Sequence, residues 1–147
     1  LFRGDDIVAV IRYKPEEVQL LARLMRAEAE EDGTTGMLLV GNVGVNRVRV
    51  RCLDFKDIST ITKMVFQRPG GFEATQRPYF YQRARDRDVR LAQQVIDGRR
   101  LDPGTNALWF YRPVGNCPAK WFGQASSGRY KAHCFFIPTP ANCPEVY

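Results

Sequence analysis

The chain has 147 residues, 44% hydrophobic and 26% charged, with a net charge of +6. That is the make-up of one folded domain able to bury about two-thirds of its unfolded surface, and it excludes a disordered chain or a helix spanning the bilayer. The basic excess favours a polyanionic partner such as nucleic acid, an anionic membrane or an anionic cell-wall polymer, although the arginine runs at 47–51, 83–90 and 99–100 each read as solvated surface.

Residues 1–14 form an N-terminal arm, whose patch Ile7–Ile11 is a short strand or packs on the body. Asp5 and Asp6 interrupt the start, no small-residue cleavage site follows, and the pattern points to synthesis in the cytosol rather than secretion. Pro15 then opens an amphipathic helix that runs to about Glu30, with Val18, Leu21, Leu24 and Met25 on one face. Glu28 is the next position on that apolar stripe, while Arg23 and Glu30 point nearly the other way. By pattern alone the stripe simply ends at Glu28. A carboxyl half-buried beside Leu and Met would instead have its pKa raised, and would keep a proton to donate as a general acid.

Glu31-Asp32-Gly33 ends this helix, and Thr34 or Thr35 caps a second over Gly36 to Val48. Gly41 and Gly44 within it each cost about 1 kcal/mol of propensity, which predicts another backbone packed closely against them. A third helix is expected over Asp57–Gln67 and a fourth over Asp86–Asp97, separated by the Pro69-Gly70-Gly71 turn and an irregular aromatic stretch to Tyr81. After Pro103 the texture changes. Ala107–Tyr111 and His133–Ile137 read as strands, with Trp121 and Phe122 on the loop between them.

A helix-borne acid, many rings and a basic surface suggest a glycan cleft, because aromatic faces cover the apolar faces of sugars. The candidate rings are Phe72, Tyr79, Tyr81, Trp109, Tyr111 and Trp121, each of which is equally a core residue. Glycosidases usually pair two carboxylates. Glu30 lies on the wrong helix face, Glu31 and Asp32 sit at the solvated end, and Glu73 beside the glycine turn is the least poor partner. A lone acid suffices when the substrate supplies the nucleophile, as the 6-hydroxyl of N-acetylmuramic acid does. Cys52, Cys117, Cys134 and Cys143 allow three disulfide pairings, or zinc together with His133, though no CxxC pair is present. No GxSxG, Walker loop or dinucleotide fingerprint occurs.

Five blocks in order resemble the SleB/CwlJ family of spore cortex-lytic cell-wall hydrolases, most of all its CwlJ branch. They are Leu21–Glu30, Gly36–Arg47, Tyr79–Ala84, Leu108–Pro113 and His133–Phe135, with the context Gly115-Asn116-Cys117-Pro118 fitting as well. The resemblance implies an α+β, predominantly helical, lysozyme-like catalytic domain over residues 15–147 with a small β-containing lobe. It implies Glu28 as general acid/base and cleft positions at Asn46, Trp109, Tyr111 and His133, to which the reading of the residues themselves adds Glu73, Tyr79, Tyr81 and Trp121. The implied substrate is spore cortex peptidoglycan containing muramic-δ-lactam, cut at the MurNAc–GlcNAc bond during germination. The implied setting is the spore coat at the outer cortex boundary, after synthesis in the mother cell, with a small coat protein partner. No cofactor or metal is required on this likeness, while activation by calcium dipicolinate is expected. The alternative is a non-catalytic wall- or coat-binding module with an aromatic glycan groove.

Overall fold

The structure is a computed structural model and describes residues 9–69 and 71–147. Most of the expected N-terminal arm therefore lies outside the described residues. Its end is fastened to the body, since Ile11 is buried and Val10 N donates to Ile96 O at 2.9 Å.

Helix α1 spans Pro15–Ala29. Pro15 fits its first turn, and the Glu17 carboxylate accepts Lys14 N at 3.0 Å, supplying an acceptor for a donor that the helix leaves over. The whole expected stripe is buried. A 3-10 turn, Glu30–Asp32, follows, and Gly33 at φ 76° reverses the chain, a conformation that glycine adopts without strain. Helix α2 spans Gly33–Arg49, starting three residues before the expected Gly36 and without a side-chain cap.

From Gly36 to Val48 every residue of α2 is buried, so it is the central helix. A Cβ at Gly41 would lie 2.9 Å from Val95 Cγ2 and 3.0 Å from Met25 Sδ; one at Gly44 would lie 2.9 Å from Met64 Cε. The close neighbours are thus side chains of the flanking helices rather than a second backbone. Those helices are α1, which carries Met25, together with α3, Ile61–Val65, and α4, Asp86–Ile96. α3 is much shorter than the expected 57–67. Thr60 is extended and its Oγ1 accepts Lys63 N at 3.1 Å, so the cap fixes the start at Ile61. The aromatic stretch between them contains two further 3-10 turns, Glu73–Gln76 and Pro78–Tyr81.

The last third forms a four-stranded antiparallel sheet. Its strands are β1 Trp109–Tyr111, β2 Lys120–Trp121, β3 Gln124–Tyr130 and β4 His133–Ile137, in the order β1-β4-β3-β2. Sequence reading anticipated β1 and β4 but assigned β2 to a loop and missed β3. Gln-Ala-Ser-Ser-Gly-Arg-Tyr has no apolar alternation, because its pairing with β4 rather than burial makes it a strand. β4 is central and buried from His133 to Phe136. Leu39 and Val43 of α2 pack on Ala107 and Phe135, joining helices to sheet. The cysteines form two disulfides, Cys52–Cys143 and Cys117–Cys134, so their sulfurs are not free thiolates for zinc. The result is a mixed α+β fold with a helical core. No helix among the described residues is long and apolar enough to cross a membrane.

Candidate active site

A cleft of about 790 Å³ opens where the end of α1 and its 3-10 turn face the sheet, with residues 71–74 and 77–80 as a third wall. It collects Glu28, Glu73, Tyr79, Trp109, Tyr111, Trp121 and His133 from the expected set. Two expected residues lie elsewhere. Asn46 is buried, and its side-chain amide donates to Gly104 O, Thr105 O and Ala107 O at 2.9–3.2 Å, which ties α2 to the chain entering β1. Tyr81 is exposed and donates to Thr75 O at 2.8 Å.

Glu28 sits on the last turn of α1, half-buried, and its Oε2 accepts Ala74 N at 3.2 Å. Burial lifts its carboxyl above the ordinary value, and the nearby Glu73 carboxylate acts in the same direction; the Ala74 N–H, the positive form of His133 and Arg77 oppose the rise. The expected direction of the shift is therefore present, and burial is its main cause.

Two arginines hold this arrangement. Arg26, one helical position pair before Glu28 and itself buried, donates to Tyr79 O, Gln82 O and Arg83 O at 2.6–3.1 Å, and its guanidinium lies 4.6 Å from the Tyr79 ring centre. Arg47 is not the solvated member of a basic run that the sequence suggested. It is buried, donates to Leu108 O at 2.8 Å, and lies against the rings of Phe55 and Phe72. Burial pushes its pKa down to about 10, while the Glu28 carboxylate favours its charge.

The remaining carboxylates of the cleft are all engaged. Glu30, expected to face away, lines the cleft; it accepts Tyr79 OH at 2.7 Å and pairs with Arg85 at 2.6 Å. Glu73 pairs with Arg77 at 3.3 Å and Glu31 with Arg112 at 3.7 Å, both at exposed positions where such pairs contribute little. Asp32, read from sequence as part of a solvated helix end, is buried and lies 2.6 Å from His133 Nδ1. Its one sequence signal was its place directly before Gly33, where the chain turns inward.

On the sheet side the rings are stacked. Trp121 lies 4.5 Å from Tyr111 between ring centres, and Tyr111 lies 5.7 Å from Phe136 behind it. Phe122 extends this wall into solvent. A half-buried acid thus faces a flat aromatic wall across an open groove, an arrangement suited to a polysaccharide. Among the described residues, one group of three candidate metal ligands occurs, Cys52, Cys143 and Glu145, and two of its members are joined to each other as a disulfide.

Comparison with known proteins gives the family and the fold. The sequence model of the family described as Cell Wall Hydrolase matches residues 31–136, beginning just after Glu28. The cell wall hydrolase CwlJ of Halalkalibacterium halodurans is 64% identical over 140 residues, covering 95% of this chain and 98% of that protein. CwlJ of Bacillus subtilis is 51% identical over the same shares. Among solved structures, the catalytic domain of the Bacillus cereus SleB protein superposes with a TM-score of 0.69 at 21% identity, covering 90% of this chain and 99% of that one. The catalytic domain of the germination-specific lytic transglycosylase SleB from Bacillus anthracis gives 0.67 at 22% identity, covering 84% and 96%.

Proposed function

The chain belongs to the SleB/CwlJ family of cell-wall hydrolases, on its CwlJ branch, and from that membership we propose that it cuts the MurNAc–GlcNAc bond of spore cortex peptidoglycan during germination. The observation that carries this reading is Glu28, a carboxyl lifted by burial at the centre of a groove with an aromatic wall. Glu28 is the general acid. It protonates the glycosidic oxygen as the bond to the muramic C1 breaks, leaving an oxocarbenium-like centre.

That centre is trapped by the muramic 6-hydroxyl, giving a 1,6-anhydro end, or by water, giving a reducing end. Glu30 is held by Tyr79 and Arg85, and Glu31 and Glu73 are exposed side chains that their weak pairs do not orient, so no second carboxylate is fixed as a nucleophile, which supports the anhydro route. The fold supports a lysozyme-like description, with the acid on a helix end and the sheet lobe across the groove. By the same likeness the enzyme works from the spore coat on muramic-δ-lactam-containing cortex, beside a small coat protein partner and under calcium dipicolinate.

The test compares the parent with Glu28→Gln on purified cortex peptidoglycan, reading the released fragments by mass spectrometry. The parent should release anhydro-ended fragments and Glu28→Gln should lose about 10²–10⁴-fold in rate. Equal release by both proteins would sink the assignment of the acid.

A further inference from the structure

We propose that His133 and Asp32 are the second proton-handling unit of the cleft, with His133 as general base toward the attacking hydroxyl and Asp32 as the residue that positions it. This rests on the glycan-cleaving reading above and moves the second proton step away from Glu28.

The argument begins with the pair itself. His133 Nδ1 and Asp32 Oδ2 are 2.6 Å apart, and both side chains are over nine-tenths buried. A carboxylate only accepts, so Nδ1 carries the proton, and in the neutral ring Nε2 holds a lone pair. Nδ1 faces Asp32, and the ring lines the cleft that also holds Glu28. The same logic operates in hydrolytic triads, where a buried carboxylate fixes the tautomer of the base.

Each partner is rigidly seated. Asp32 directly precedes the 17-residue helix α2, whose leftover N–H groups favour a negative charge. A Cβ at Gly36 would fall 2.3 Å from Asp32 Cβ, so the glycine leaves the room in which Asp32 sits. His133 opens β4, the strand paired on both sides, opposite Tyr130 of β3. The Phe110 ring meets the imidazole edge-on at 5.4 Å and limits its rotation. Glu30 is tied to Tyr79 and Arg85, Glu31 and Glu73 are exposed and only loosely paired, and Glu28 is spent on the leaving oxygen, so the oriented imidazole is the base placed for the second proton.

The proton balance closes. The Glu28 proton goes to the leaving glycosidic oxygen as the C1–O bond breaks. The attacking hydroxyl oxygen bonds to C1, and its proton passes to His133 Nε2, leaving an imidazolium against the Asp32 carboxylate. Solvent then carries one proton from His133 back to Glu28, and the cycle ends with no net proton gained or lost.

The experiment measures kcat and KM on cortex peptidoglycan for the full chain and for Asp32→Asn, His133→Gln and His133→Ala, the last with and without added imidazole. The expected result is a fall in kcat of about 10²–10⁴-fold for each variant with KM little changed, and recovery of His133→Ala by imidazole. The proposal is overturned if Asp32→Asn or His133→Gln keeps kcat within about threefold of the parent, or if imidazole leaves His133→Ala unchanged. Should His133→Ala fail to fold, the near-isosteric Asp32→Asn decides alone. Glu28→Gln separates the two ideas. If it is inactive while His133→Gln is active, only this proposal fails; if it is active, the reading of the site fails with it.

Discussion

The carboxyl of Glu28 accepts the backbone N–H of Ala74 at 3.2 Å, so the acid is aimed by a segment 46 residues further along the chain. That segment runs into the stretch that Arg26 grips through the carbonyls of Tyr79, Gln82 and Arg83. Helix α1 therefore presents the acid and, through Arg26, anchors the wall that orients it.

Replacing Arg26 with Met should cost about 1–3 kcal/mol, because three carbonyls lose the buried guanidinium that ties them together. It should also lower kcat about tenfold as the 72–81 stretch drifts and the alignment of Glu28 loosens. Chemical denaturation gives the first effect and fragment release the second. Full activity in a destabilised variant would mean that the clamp does not orient the acid.

Glu28 itself should be a liability to the fold. Its folded pKa lies above the ordinary 4.5, so the native state holds its proton more tightly than the unfolded chain does. Stability is then undiminished below the ordinary value and falls as pH rises through the folded one. Glu28→Gln should melt at a higher temperature than the parent at neutral pH, with the gap closing below about pH 4. Melting curves across that range test the sign.

The two disulfides should differ in weight. Cys52–Cys143 closes 91 residues and Cys117–Cys134 closes 17. By loop entropy the first stabilises by about 4–5 kcal/mol and the second by about 3. Paired Cys→Ser variants, compared by denaturant titration, should rank in that order.

Trp121→Ala removes the outer ring of the stack on Tyr111. KM for cortex fragments should rise about tenfold with kcat nearly unchanged, since the ring binds the substrate and its transition state alike. A fall in kcat with KM unaltered would place Trp121 in the chemistry instead.

The helical half was legible because burial there follows a 3.6-residue period: Val18, Leu21, Leu24 and Met25 marked α1, and Glu28 stood out as a carboxyl on that face. β3 was not, since its residues are small and polar and become a strand only through β4. Asn46 looked like a cleft residue because its family position suggested it, yet three carbonyls of the chain entering β1 take its amide. Asp32, Arg26 and Arg47 were hidden for one shared reason. Sequence treats charge as a sign of solvent, while these three are buried by partners 53 to 101 residues away.

The sheet ends in a strand of three residues on one side and two on the other. The two short outer strands do not by themselves close the sheet, because β2 pairs with only Gln124 and Ala125 of the seven-residue β3. Where copies crowd side by side, the exposed Arg129 and Lys131 at the far end of β3 set like charges against a neighbouring edge and disfavour its pairing.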